Sequence, residues 1–258
     1  MSANDPDLAA MRRAVAAMKR LPQSAARNWT RFADIHRNFC PHANWYFLPW
    51  HRAYIRAFER ICRELSGKSD FALPYWNWTA DRQFPAAFAA GDRDSNPLFH
   101  PRPGGASGLR LADDVVGPAV MSAIMTSPDF EAFGSTRPRG QNSAATSWQR
   151  RAGSATTLEF NPHNGVHQAI GGNMSVVALS ARDPSFFLHH ANVDRLWSAR
   201  NRRATPTALI RCGAISRSTG ISSMAPVRRG TSASAISVRR QRSATAMTTI
   251  PNRSQPIS

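Results

Sequence analysis

Residues 36–52 read HRNFCPHANWYFLPWHR, and residues 183–197 read DPSFFLHHANVDRLW. Between them, residues 161–167 read NPHNGVH. Six histidines in these stretches fall into two groups of three: His36, His42 and His51, then His163, His167 and His190. Imidazole nitrogen suits borderline metals such as copper and zinc. Three neutral imidazoles per metal, with no carboxylate among them, suit two copper ions that share dioxygen. Residues four apart on a helix share a face, so His163 and His167 can chelate one ion. Neighbours on a helix point about 100° apart, so only one of His189 and His190 can face that ion. His100 lies outside the pattern and reads as a surface or loop histidine.

Working outward, residues 49–65 carry an apolar stripe of Tyr54, Ile55, Phe58, Ile61, Cys62 and Leu65, which predicts a helix with Pro49 in its first turn. His51 then sits on that first turn, held rigidly. Residues 6–20 repeat Leu8, Met11, Val15 and Met18 at helical spacing. Asp183 and Pro184 read as the cap and first turn of another helix, running to about Trp197. The aromatic run FALPYWNWT, residues 71–79, is too short for a helix and reads as a packed loop. Residues 81–157 are rich in Pro, Gly, Ser and Ala, with a weak helical signal over 113–125. They predict a long irregular excursion of the kind that borders sites.

The chain has 258 residues, 42% of them hydrophobic, enough for one well-buried domain. A formal charge of +17 ordinarily points to nucleic acid or an anionic membrane. Its distribution weakens that reading, because residues 201–258 hold ten arginines and no acidic residue. Every aromatic residue lies at or before Trp197. The composition predicts a main domain over 1–200 and a disordered basic tail over 201–258. The codons of Leu209 to Gly213 can be chosen so that another frame reads Asp-Pro-Leu-Trp, and a second match arises in that frame near Gln241. The expectation is a one-nucleotide shift between about Ser198 and Ala204, with a genuine nucleic-acid-binding extension as the alternative. No run approaches the roughly 20 apolar residues of a membrane helix. The polar N-terminus does not resemble a secretory signal, so a cytoplasmic location is the default, with export alongside a partner left open. Cys40, Cys62 and Cys212 form an odd set without a disulfide framework.

Pro-Trp-His-Arg at 49–52 and Asp-Pro-x-Phe-x-x-His-His at 183–190 closely resemble the central domain of the tyrosinase family, which includes catechol oxidases and is related to molluscan haemocyanins. The resemblance spans roughly residues 30–197. It implies a mainly α fold: an antiparallel four-helix bundle with long irregular loops and a dinuclear copper site in its core. It assigns His36, His42 and His51 to one copper and His163, His167 and His190, rather than His189, to the other. It implies a thioether between Cys40 and His42, with a buried structural cysteine as the alternative. Glu159 and Asn164 match positions that hold a water for deprotonating a phenol, although an ordinary surface glutamate is also open. Asp194 reads as support for a ligand or as a helix-packing salt bridge. The implied activity uses O2 to oxidise o-diphenols, and in some members to hydroxylate monophenols, giving o-quinones. The implied partners are O2, a small phenol and a copper-delivery protein, with neither nucleic acid nor membrane. An O2 carrier without turnover and an inactive product of a frame-shifted gene are the alternatives.

Overall fold

The structure is a computed structural model, and it describes residues 5–106, 108–127, 130–135 and 157–215, with the backbone alone at 131–132 and 204–215. By their contacts the residues divide into Met1–Cys212, which carries the bundle, and Gly213–Ser258, of which only the end of one helix is described.

Helix α1 spans Pro6–Arg20. The Asp5 carboxylate caps it by accepting the N–H groups of Asp7 and Leu8, and Pro6 occupies the first turn. Its predicted stripe, Leu8, Met11, Val15 and Met18, is buried and packs on α3. Helix α2, Trp29–Phe39, is capped by the Asn28 side chain and buries Trp29, Phe32, Ala33 and His36. Helix α3 spans Phe47–Ser66 and ends at Gly67, whose φ of 72° supplies the left-handed turn. Of its predicted stripe, Tyr54, Ile55, Phe58, Ile61 and Cys62 are buried.

The FALPYWNWT segment is irregular, and it plugs Phe71, Trp76 and Trp78 into the core. The excursion that follows is mostly loop. It carries short helices α4 (Ala86–Ala89), α5 (Asp113–Val116), α6 (Pro118–Met125) and α7 (Phe130–Phe133). Among the described residues there is no β-strand, only an isolated bridge between Gln83 and Arg110. A π-turn over Glu159–Asn164 leads into α8, Gly165–Ile170, and two 3-10 turns lead on to α9, Ser185–Ile215.

The architecture is mainly α. An antiparallel four-helix bundle, α2, α3, α8 and α9, carries five of the six paired histidines on helices or the π-turn. Stacked rings fill the space between them: Phe58 lies 3.7 Å from Phe187, and Phe32 lies 4.8 Å from Tyr54, centre to centre. Helix α9 continues past Trp197 to Ile215, longer than its apolar pattern predicts. Alanine and arginine after Trp197 favour helix even without an apolar stripe. Residues 216–258, most of the predicted tail, lie outside the described residues.

Two ion pairs fasten α9. The Asp183 carboxylate accepts the Ser185 N–H at 2.9 Å, which is the predicted cap, and pairs with Arg102 at 2.6 Å. Both side chains are almost wholly buried, 1% and 0% exposed, so this pair fixes the long loop to the start of α9. At the next level, Arg52 of α3 pairs with Asp194 of α9, donates to Ser198 Oγ at 2.9 Å and lies 3.6 Å over the Trp197 ring. Asp194 is thus a helix-packing salt bridge.

Candidate metal centre

His36 ends α2, His51 opens α3, and His42 hangs in the loop between them. Their ring centres form a near-equilateral triangle, 5.5, 5.4 and 5.3 Å on a side. His163 closes the π-turn, His167 lies one turn later on α8, and His190 faces them from α9, with ring centres 4.5 to 5.6 Å apart. The two groups adjoin, because the His51 and His190 rings stack at 4.4 Å and 7°. Each group brings one nitrogen per ring within 4.8 Å of the others, the second with His189 as a fourth member, and neither contains a carboxylate.

Hydrogen bonds set the tautomers. His51 Nδ1–H donates to the Phe47 carbonyl at 2.8 Å, and His167 Nδ1–H donates to the Met174 carbonyl at 2.7 Å. His163 Nδ1–H is shared by the Glu159 carbonyl at 3.1 Å and Asn164 Oδ1 at 2.9 Å. The Nε2 atoms of these three rings therefore carry lone pairs. They face other Nε2 atoms at close range: His51 to His36 at 3.3 Å, His163 to His190 at 3.3 Å, and His167 to His190 at 3.4 Å. One proton on His190 Nε2 can serve only one of its two neighbours, and then His190 Nδ1 is left buried without a partner. A cation between the lone pairs resolves the conflict, so the residues fit a bound metal in each group.

Charge state agrees. Burial, with mutual repulsion added, holds His51, His163 and His190 well below the usual imidazole range. Burial lowers His36 to about 3, and His42 and His167 to about 4. All six are neutral near pH 7, the form that binds metal.

The neighbours divide. Cys40 Sγ lies 3.3 Å from His42 Nδ1, and burial raises its thiol to about 12. Glu159 is 4% exposed, so the surface reading fails. One of its oxygens accepts the Ala43 N–H at 2.5 Å, and the other accepts the Ser135 hydroxyl. Glu159 thereby ties the His42 loop to the His163 turn, and Ala43 takes a φ of 53° to reach it. His189 is buried beside the second group but receives the Trp78 indole N–H on Nδ1. His100 sits in a loop beside Lys19, Arg93 and Arg182, apart from both groups. Ser135, the donor role of Trp78 and the carbonyls of Phe47 and Met174 carry no sequence signal. A backbone carbonyl leaves no residue signature, and Ser135 lies 24 positions from the carboxylate it holds.

A cavity of about 40 Å³ opens beside His42, His163 and His167, walled by Asn164, Gln168 and Val177 among others. A larger one, about 690 Å³, lies between Asp5 and Ala86 and touches none of the histidines. No helix among the described residues is long and apolar enough to cross a membrane.

The family model described as the common central domain of tyrosinase matches residues 14–114 and 107–203. Tyrosinase HcTyr1 of Hahella sp. (strain CCB-MM4) is 32% identical over 182 residues, covering 62% of this chain and 37% of that protein. The tyrosinase of Streptomyces glaucescens is 31% identical over 219 residues, covering 74% of this chain and 78% of that one. A solved structure of an active aurone synthase, a polyphenol oxidase, superposes with a TM-score of 0.67 at 25% identity, covering 78% of this chain and 69% of that one. The chain spans less than two fifths of the length of HcTyr1 and of several plant polyphenol oxidases. With both histidine groups inside the matched residues, the bundle and the sequence lead to one assignment: this chain belongs to the tyrosinase family.

Proposed function

We propose that the chain is a dicopper oxidase that uses O2 to convert o-diphenols to o-quinones, with ortho-hydroxylation of monophenols as the extension of that reaction. The observation that carries this reading is the pair of three-imidazole groups, buried except for the half-buried His42, neutral, free of carboxylates and in contact with each other. Their ligands are His36, His42 and His51 for one copper and His163, His167 and His190 for the other. When bound, the copper ions supply the redox chemistry with O2 that no protein side chain offers.

The chain's own residues orient and isolate. The carbonyls of Phe47, Glu159 and Met174 hold three imidazoles with Nε2 turned inward. A thioether from Cys40 to the His42 ring, formed by losing the S–H and one ring C–H hydrogen with O2 as the two-electron acceptor, would immobilise the one ligand that lacks a helix, and the 3.3 Å approach supports it. Glu159 serves as proton acceptor through a water shared with Asn164. The bonds from Ala43 and Ser135 hold its carboxylate between the His42 loop and the His163 turn, where that water would lie. The burial of both groups also suits loading by a copper-delivery protein.

The tail belongs to the same proposal: residues from about 201 onward derive from a shifted frame, which resequencing the gene tests directly. For the activity, copper-loaded chain is mixed with an o-diphenol and O2, and quinone absorbance is followed. Quinone formation that requires copper supports the oxidase. Reversible O2 binding without quinone indicates a carrier.

A further inference from the structure

His189 follows the same helix as His190 and is completely buried. Its ring lies 5.0 Å from His163 at 25° and 4.8 Å from His167 at 89°. By distance it is a fourth member of the second group, with a ring nitrogen inside the same 4.8 Å set. Four imidazoles around one ion would fill the positions that O2 and substrate need, because a catalytic metal keeps a site open. The hydrogen bonds separate His189 from the rest. Trp78, itself 0% exposed, donates its indole Nε1–H to His189 Nδ1 at 3.1 Å. Indole nitrogen is a donor only, so Nδ1 must accept and the ring proton must sit on Nε2. That Nε2–H is buried and makes no hydrogen bond of its own. With Nδ1 engaged and Nε2 protonated, the ring has no lone pair left for a metal.

We infer that Trp78 is a positioning residue that locks the tautomer of His189, keeping a fourth imidazole off the second metal while His189 braces His163. The inference rests on the dicopper reading for its consequence, but the tautomer itself is a property of the metal-free chain. It also gives a reason for the second tryptophan of the FALPYWNWT loop: the loop delivers an indole donor to the one ring in the group that must not ligate.

The test has two arms. In metal-free chain with 15N-labelled histidine, NMR should find His189 protonated on Nε2 and not on Nδ1; a proton on Nδ1 overturns the inference, whatever copper does. In copper-loaded chain, X-ray absorption should count three imidazoles per copper. Trp78→Phe keeps the bulk and removes the donor, so the count at the second copper should rise to four, and His189→Phe in that background should return it to three. A folded Trp78→Phe chain whose count stays at three overturns the inference. Should Trp78→Phe fail to fold, the wild-type tautomer still decides. Failure of wild-type chain to bind copper contradicts the dicopper reading and leaves the NMR result standing.

Discussion

His42 is the one imidazole of the six held by a loop, so its orientation depends on Cys40 to one side and Ala43 to the other. If the Cys40–His42 bond forms, copper-loaded chain should be two hydrogens lighter by intact mass than metal-free chain, and Cys40→Ser should show no such difference. Equal masses in the wild type would exclude the bond. Glu159→Gln keeps the shape and removes the proton acceptor. Hydroxylation of a monophenol should fall by about 10²-fold or more, in line with loss of a general base, while o-diphenol oxidation falls far less. Equal loss of both activities would reduce Glu159 to the strut between Ala43 and Ser135. The histidines themselves were legible because metal binding restricts both residue type and spacing. Their second nitrogens were not, because the partners of His51 and His167 are carbonyls that any residue supplies.

At the scale of elements, α1 and α3 were legible because one face of each is continuously apolar. Helix α2 carries no such continuous stripe. Its buried face is Trp29, Phe32, Ala33 and His36, so the stripe includes a histidine, while Ile35 and Phe39 blur it by facing solvent. The apolar pattern ends α9 at its last aromatic, where composition changes but helix propensity does not. No pattern announces that Arg102, from an irregular loop, reaches the cap of α9 81 residues later. Asp183→Asn tests that contact selectively, since asparagine still caps a helix but leaves a buried guanidinium without its counter-charge. Stability should drop by about 3–5 kcal/mol, read from the denaturant midpoint of the metal-free chain. A shift below about 1 kcal/mol, the range of an exposed pair, would show that the Arg102 pair does not anchor the loop.

For the whole molecule, six neutral imidazoles, five of them buried and His42 half-buried, make folding depend on pH. Each has a folded pKa below its unfolded value of 6.5. The unfolded chain therefore binds more protons on acidification, and the stability present above pH 6.5 is lost as pH falls toward about 4 and then 3. Each group contributes about 1.4 kcal/mol per pH unit across that window. Together they suffice to unfold a domain stable by about 5–15 kcal/mol before all are protonated. The denaturant midpoint of metal-free chain should drop steeply from pH 7 to pH 5; a flat midpoint would mean the rings are solvated.

The central claim is that two triads each hold one metal, and the copper content of purified, copper-reconstituted chain tests it most directly. Wild-type chain should retain two copper ions per molecule, while His51→Ala and His190→Ala should each retain one. Wild-type chain that holds one copper or none, or variants that still hold two, would contradict the account.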